Sequence, residues 1–237
     1  MESVFSRFLI KRKQGEKMIW LCYIIMLAVP YLMAGINFSI IVCKIKTGKD
    51  IRTMGSGNAG LTNSLRVMGK PAAAVVLIGD VSKAALAVFL VRLSFSLIGG
   101  VNTADFATEM KWVEYMAVFM AIVGHCFPMY YGFKGGKGVL AAVSGIYVLD
   151  WRIASILLGI FIVIVAISRY VSLGSVISSS CFFIVSLLFG HFLDKDPAWI
   201  VNAIIAAFCG GLIVVRHSGN LKRLAAHNEK KLGEKAK

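Results

Sequence analysis

Scored only as apolar or polar, the chain reads as long apolar runs separated by short polar islands. The runs lie at approximately 18–43, 71–98, 112–131, 138–149, 153–167, 171–192 and 199–215. Most approach or exceed the ~20 residues that cross a bilayer core. None shows the two-residue alternation of a strand, and in lipid an open run satisfies its backbone groups only as a helix. Trp20, Trp112, Trp151 and Trp199 fall near the ends of runs, where indole prefers the interface. The fourth and fifth runs are short, the fourth making only ~18 Å of helix. Fusing them would centre Asp150 and Arg152 in one long helix, at roughly 2.5–3.5 kcal/mol each. A turn at Asp150 is therefore predicted. The result is an all-α polytopic membrane protein of seven spans, one domain over residues 18–237, with residues 1–17 as a basic extension. That extension is either a short amphipathic helix on the headgroups or a mobile tail.

Composition agrees with this pattern. Of 237 residues, 58% are hydrophobic and 16% charged, with mean hydropathy +0.77. That is too little charge to cover a soluble protein of this size. The net charge of +14 sits in loops and ends, without the aromatic-and-basic pattern of a nucleic-acid domain. Cys22, Cys43, Cys126, Cys181 and Cys209 lie in or beside apolar runs at no metal-like spacing and read as small hydrophobes. No cleavable signal peptide is expected, since the first run is too long and lacks a small-residue cleavage site. Seven spans put residues 44–70, 132–137 and the C-terminal tail on one face. That face then has twice the Lys and Arg of the other, as a cytoplasmic side should. The basic N-terminal extension falls opposite and conflicts with that rule.

The polar islands carry the candidate chemistry. In the first, Gly55, Gly57 and Gly60 can reach backbone angles closed to other residues, so main-chain N–H groups can converge on one point. Ser56, Asn58, Thr62 and Asn63 add short hydrogen-bonding side chains. Arg66 adds a planar fork suited to phosphate. This stretch reads as a phosphate-binding loop at a membrane surface. In the second island, Lys134, Gly135, Gly136, Lys137 and Gly138 immediately precede an apolar run. A helix N-terminus with two ammonium groups is an anion site, although a plain positive-inside loop would look the same in isolation. The third island is the tail from Arg216 to Glu229, where His217, Asn220 and Arg223 are spaced to share one side of a helix. A histidine can take a proton near neutral pH and an asparagine can orient a partner. The alternative is a basic juxtamembrane helix resting on lipid phosphates. Asp80 and Lys83 stand ~15 Å into the second run. They are either a functional intramembrane pair or an internal i, i+3 ion pair.

Three apparent motifs fail on context. Gly55-x-Gly57-x-x-Gly60 has no preceding strand and no βαβ unit to follow. Lys137 is outside a phosphate-loop frame, because Tyr131 stands where its first glycine belongs. His191 and Asp196 reproduce a His-x4-Asp spacing, but on the face opposite the three islands, as a polar loop.

Taken together, Gly55-Ser-Gly-Asn-x-Gly-x-Thr-Asn-x-x-Arg66-x-x-Gly69, Gly124-His-x-Phe-Pro, Phe133-Lys-Gly-Gly-Lys-Gly138 and His217-x-x-Asn-x-x-Arg223 resemble one family. They match, in order, the motifs of the bacterial acyl-phosphate:glycerol-3-phosphate acyltransferases of the PlsY type. Asp80-x-x-Lys83 matches a recurrent pair in that family's second helix. The resemblance spans residues 36–229. This chain has Ser218 where the family usually has a basic residue, and His227 where it has glycine.

The resemblance implies seven spans in the bacterial inner membrane with the motif face cytoplasmic. It implies transfer of a fatty acyl group from acyl phosphate to the sn-1 hydroxyl of glycerol 3-phosphate, without cofactor, metal or thioester donor. The product is lysophosphatidic acid, the first step of phospholipid synthesis. An activated carbonyl needs no covalent nucleophile, so the protein has only to hold two phosphorylated molecules, align them and remove a proton. Ser56, Gly57, Asn58, Thr62, Asn63, Arg66, the 134–138 loop, Arg223 and Glu229 are then the expected substrate-binding set. His217 and Asn220 meet the acceptor, with His217 or the donor phosphate as base. His125, Asp80 and Lys83 rank behind them, His125 being equally readable as a structural cap. Membrane lipids are the only other partner expected, and the protein is read as a monomer. The competing classes are a carrier for phosphorylated solutes and a lipid-binding structural protein. A carrier would show paired repeats and midplane sites, whereas here the polar groups gather at one face.

Overall fold

The computed structural model describes residues 4–102, 106 and 110–234, with side chains from residue 18 onward, and they form a helical bundle. The helices are α1 (Val4–Gly35), α2 (Phe38–Thr47), α3 (Leu61–Met68), α4 (Lys70–Leu97), α5 (Lys111–Cys126), α6 (Val139–Leu149), α7 (Trp151–Ser168), α8 (Val171–Leu188), α9 (Trp199–Arg216) and α10 (Ser218–Ala225). Among the described residues, six helical segments are long and apolar enough to cross a membrane, the first running from Met18 to Thr47. α6, with 11 residues, is shorter. The backbone of the N-terminal extension from Val4 is continuous with α1, while its side chains lie outside the described residues.

Two chain breaks position the site. The first apolar run is split where one segment was expected. α1 stops at Gly35, and Asn37, in an extended conformation, starts α2 by accepting the Ile40 N–H at 3.1 Å, as an N-cap does. The turn at Asp150 forms as predicted. Its extended backbone (φ −158°, ψ 106°) ends α6, and its carboxylate caps α7 by accepting the Arg152 N–H at 3.0 Å.

α5 is the centre of the bundle, packed against α1, α4, α6 and α9 and burying Val113, Tyr115, Val118 and Ile122. Absent side chains set the closest approaches. A Cβ on Gly124 would overlap the Tyr31 backbone, and one on Gly210 the Ser179 backbone, so α1 meets α5 and α8 meets α9 through glycine. Outward faces keep exposed Trp20, Ile24, Ile78, Phe89, Val163 and Phe208, an apolar coat suited to lipid.

At one end of the bundle the helices are tied by charge. Lys111 Nζ lies 3.3 Å from Asp150 and 3.1 Å from Asp194, and Arg152 reaches the same two carboxylates at 2.7 and 2.8 Å. Arg92 pairs with Glu114 and donates to the Val148 carbonyl. Asp196 accepts from the Ala198 N–H and from Asn202 at the start of α9, while His191 packs on the Trp199 ring. The His-x4-Asp spacing is thus a braced turn leading into α9 beside an aromatic contact.

Candidate active site

All three islands meet at the other end. In the first, Gly55 and Gly57 take φ of 59° and 72°, and the chain then enters α3. Thr62, Asn63 and Arg66 are therefore helical, where an extended loop was expected. Asn63 also departs from its expected role as an anion ligand. It is buried, its Oδ1 accepts the Ser56 N–H at 2.9 Å, and its Nδ2 donates to the Ile51 and Met54 carbonyls at 3.3 and 3.0 Å. With its groups spent, it shapes the loop. What remains for an anion is the start of α3. Gly60 supplies no side-chain cap, and the N–H groups of Leu61, Thr62 and Asn63 have no partner among the described residues. Ser56 is exposed beside them, and Asn58, Thr62 and Arg66 are half-buried. An uncapped helix start next to a guanidinium favours negative charge.

The second island hangs between two arginines. Arg52, paired with Asp50 at 2.7 Å, donates to the carbonyls of Tyr131 at 2.9 Å and Lys134 at 3.0 Å. Arg216, its guanidinium 5.2 Å from the Phe127 ring centre, donates to the carbonyls of Gly135 at 3.2 Å and Gly136 at 3.1 Å. The Gly135 and Gly136 N–H groups turn back to the carbonyls of Cys126 and His125, both at 3.1 Å. Gly138, at φ 83°, leads into α6 without a side-chain cap. The N–H groups of Lys137 and Gly138 have no partner among the described residues. Lys134 is exposed at the rim. Neither arginine stood out in the sequence, because a basic residue near a helix end has an ordinary reading in every membrane protein.

The third island is wired to the second. His217 occupies the break between α9 and α10, not the middle of one helix. Its Nδ1 lies 2.8 Å from the Ile213 carbonyl. That oxygen only accepts, so Nδ1 carries the hydrogen and Nε2 is left as the acceptor. Burial, and then the neighbouring Lys137, lower its pKa to about 4. At neutral pH it is an uncharged imidazole, in place of the proton carrier its ordinary pKa suggested. Asn220 Oδ1 accepts from Lys137 Nζ at 2.5 Å, and its Nδ2 donates to Glu229 at 2.5 Å. Glu229 also accepts from Arg223 at 2.7 Å and from Ser172 at 2.9 Å. Burial raises the Glu229 pKa, but the bonds from Asn220, Arg223 and Ser172 outweigh it and hold the carboxyl below its ordinary value. Ser172 gave no signal in the sequence, since it lies inside an apolar run. A Schellman turn brings Glu229 to this place. Asn228 N–H bonds the Arg223 carbonyl at 2.8 Å and His227 N–H that of Leu224 at 3.0 Å, with His227 at φ 54°.

Lys137 is the hub of this network. Burial lowers its pKa, Glu229 raises it, and Arg223, Arg216 and Arg66 lower it further, to about 8. Four cationic side chains thus face one carboxylate, a balance that calls for a bound anion. Asp80, Lys83 and His125 lie buried beneath the 134–138 loop, Lys83 being 2.8 Å from Asp80 and 3.2 Å from His125 Nδ1. An apolar cavity of about 120 Å³ opens between α6, α7, α8 and α9, its wall beginning at Val139, the residue after Gly138. It runs from Val139, next to the glycine loop, past Leu157 and Phe161 to Ile213, whose carbonyl holds His217.

Comparison with known proteins agrees with this geometry. The glycerol-3-phosphate acyltransferase family profile matches residues 24–227. A glycerol-3-phosphate acyltransferase of Clostridioides difficile (strain 630) is 38% identical over 90% of this chain and 97% of its own. One from Trichodesmium erythraeum is 36% identical over 89% and 92%. Among solved structures, the integral membrane glycerol 3-phosphate acyltransferase PlsY in its glycerol 3-phosphate form superposes with a TM-score of 0.71. It is 29% identical and the match covers 88% of this chain and 94% of that one. Its lysophosphatidic acid form gives 0.68 at 27% identity. A helical membrane bundle, a cationic pocket at one end and a profile match over most of its length lead to one assignment: the chain belongs to the glycerol-3-phosphate acyltransferase family.

Proposed function

We propose that this protein transfers a fatty acyl group from an acyl phosphate to the sn-1 hydroxyl of glycerol 3-phosphate. The products are lysophosphatidic acid and inorganic phosphate. The observation that carries the reading is the apposition of a cation-rich pocket, with two uncapped helix starts, and an apolar cavity at its edge. An acyl phosphate has that shape, an anionic head on an apolar tail. One phosphate seats on the start of α3 with Arg66, the other near Lys137 and the start of α6, and the acyl chain enters the cavity. The acceptor oxygen attacks the acyl carbon, the bond from that carbon to the phosphate oxygen breaks, and phosphate leaves. The hydroxyl proton goes to the departing phosphate. An imidazole of pKa about 4 is a poorer proton acceptor than the phosphate group released, the second ionisation of a phosphate lying at ~6 or above. His217 Nε2 therefore orients the hydroxyl, and Asn220 sets Lys137.

The ends of α6 support a reading of seven passes. Gly138 lies in the pocket, while Asp150 pairs with Lys111 and Arg152 at the other end of the bundle, which supports counting this short helix as a seventh pass. The N-terminus is then opposite the pocket, and the basic balance of the pocket face makes it cytoplasmic in the bacterial inner membrane. The protein acts as a monomeric unit without cofactor. The test is purified protein in detergent with radiolabelled glycerol 3-phosphate and either an acyl phosphate or an acyl thioester. Labelled lysophosphatidic acid and phosphate in equal amounts from the first donor alone are expected. Transfer from the thioester alone, or no transfer without a sealed compartment, would overturn the reading, the latter in favour of a carrier.

A further inference from the structure

Lys83 stands inside α4, where a lone ammonium is costly, and three acceptors surround its three N–H protons. Nζ is 2.8 Å from Asp80, one turn back on the same helix. It donates at 2.6 Å to the Ile36 carbonyl, left over where α1 breaks before α2. At 3.2 Å it faces Nδ1 of His125 in the last turn of α5. Two of its donors go to the Ile36 carbonyl and the His125 ring and its charge is met by Asp80, and the interest lies in where these partners lead.

Ile36 is followed by Asn37, which caps α2 and donates to the Ala59 carbonyl at 3.3 Å. One arm of the clamp therefore reaches the Gly55–Gly60 loop within a residue. His125 leads to the other loop. Its carbonyl accepts the Gly136 N–H at 3.1 Å, and its Nε2 sits so near Gly136 that a Cβ there would overlap both the imidazole and the Ala59 carbonyl. The two loops thus touch, at Ala59 and Gly136, directly over a ring whose other nitrogen is fixed by Lys83. Asp80 is fully buried, and among the described residues its charged partner is Lys83 alone.

We infer that Lys83, backed by Asp80 and acting through His125, is a positioning residue for acyl transfer. It holds the Gly55–Gly60 and Lys134–Gly138 loops at the one spacing that seats both phosphates with hydroxyl and carbonyl in line. The inference rests on the two-phosphate reading above. Loss of that spacing misplaces two bound substrates relative to each other, a defect worth about 10²-fold in kcat, while each alone still binds.

The experiment compares wild type, His125→Leu, His125→Asn and the double variant Asp80→Asn/Lys83→Met, scored as kcat per monodisperse protein and KM for glycerol 3-phosphate. Asparagine places an acceptor where Nδ1 was and leucine does not. His125→Leu should lose about 10²-fold in kcat with KM within about threefold, and His125→Asn should recover at least tenfold of that. The double variant removes both charges without stranding one and should fall with leucine. Equal rates for the leucine and asparagine variants, or wild-type kinetics in either His125→Leu or a folded double variant, would overturn the positioning role. If wild type itself makes no lysophosphatidic acid from acyl phosphate, the reading beneath it falls as well. Should the double variant not fold, the two His125 variants decide.

Discussion

The two ends of the bundle hold similar side chains and do opposite things. At the far end Lys111, Arg152 and Arg92 meet Asp150, Asp194 and Glu114, and every carboxylate has its cation. At the near end Lys137 has Arg66, Arg216 and Arg223 near it against the one carboxylate of Glu229, and helix starts there are left uncapped. A neutral cluster ties helices together. A cluster with excess positive charge favours an anion, and under the proposed function its unpaired N–H groups are where the substrate phosphates bind. Charge content alone orients the ends without saying what each one does. Charge balance supplies that.

The sharpest way to break this contrast is to strip the near end of one side chain at a time. Lys137→Ala should cost about 10²–10³-fold in kcat/KM, the scale for losing a preorganised donor to developing charge. His217→Ala should cost less, about 10–10²-fold. A loss beyond 10³ would make His217 the base and return the proton from phosphate to protein.

Acidity sharpens the same point. Because Lys137 is held to about 8, it loses its charge as pH rises through that value, whereas the arginines keep theirs. KM for glycerol 3-phosphate should rise severalfold between pH 8 and 10. Lys137→Arg should flatten that limb even where it lowers overall turnover. An unchanged limb in the variant would remove Lys137 from the anion site. At the far end, Asp150→Asn should leave turnover per folded protein within about twofold of wild type. It should lower stability by roughly 1.5–3 kcal/mol, the range for a hydrogen bond to a charged group, read as an earlier thermal transition in detergent. A catalytic defect there would erase the division between the two ends.

How much of this was written in the chain differs between the two kinds of feature. The all-helical membrane bundle, the turn at Asp150 and the meeting of three islands were legible, because apolar runs and the cost of a buried charge act locally. The break at Ile36 was not, since residues on both sides are apolar and its carbonyl is taken by Lys83, 47 positions away. Arg52 and Arg216 were hidden for a related reason. Their work is to hold carbonyls of another loop, which leaves no mark in residue type. Asn63 was misread because an amide that shapes a loop and one that binds a ligand look alike until the acceptors are known.

The smallest expected effect tests how Glu229 is delivered to the near end. His227 ends α10 at φ 54°, the left-handed position of a Schellman turn where glycine is at home, and the chain reverses there to bring Glu229 onto Asn220, Arg223 and Ser172. Left-handed backbone costs an L-residue roughly 1–2 kcal/mol, and glycine removes that cost while adding unfolded-state freedom of about 0.4–1 kcal/mol. His227→Gly should therefore be neutral to slightly stabilising, with wild-type kinetics. His227→Val, whose branched side chain resists this conformation, should strain the turn and release Glu229. Lys137 then loses the one carboxylate that raises its pKa, so the alkaline limb of KM should move to lower pH. A valine variant with an unmoved limb would mean that Glu229 holds its place without the turn, through its side-chain bonds alone.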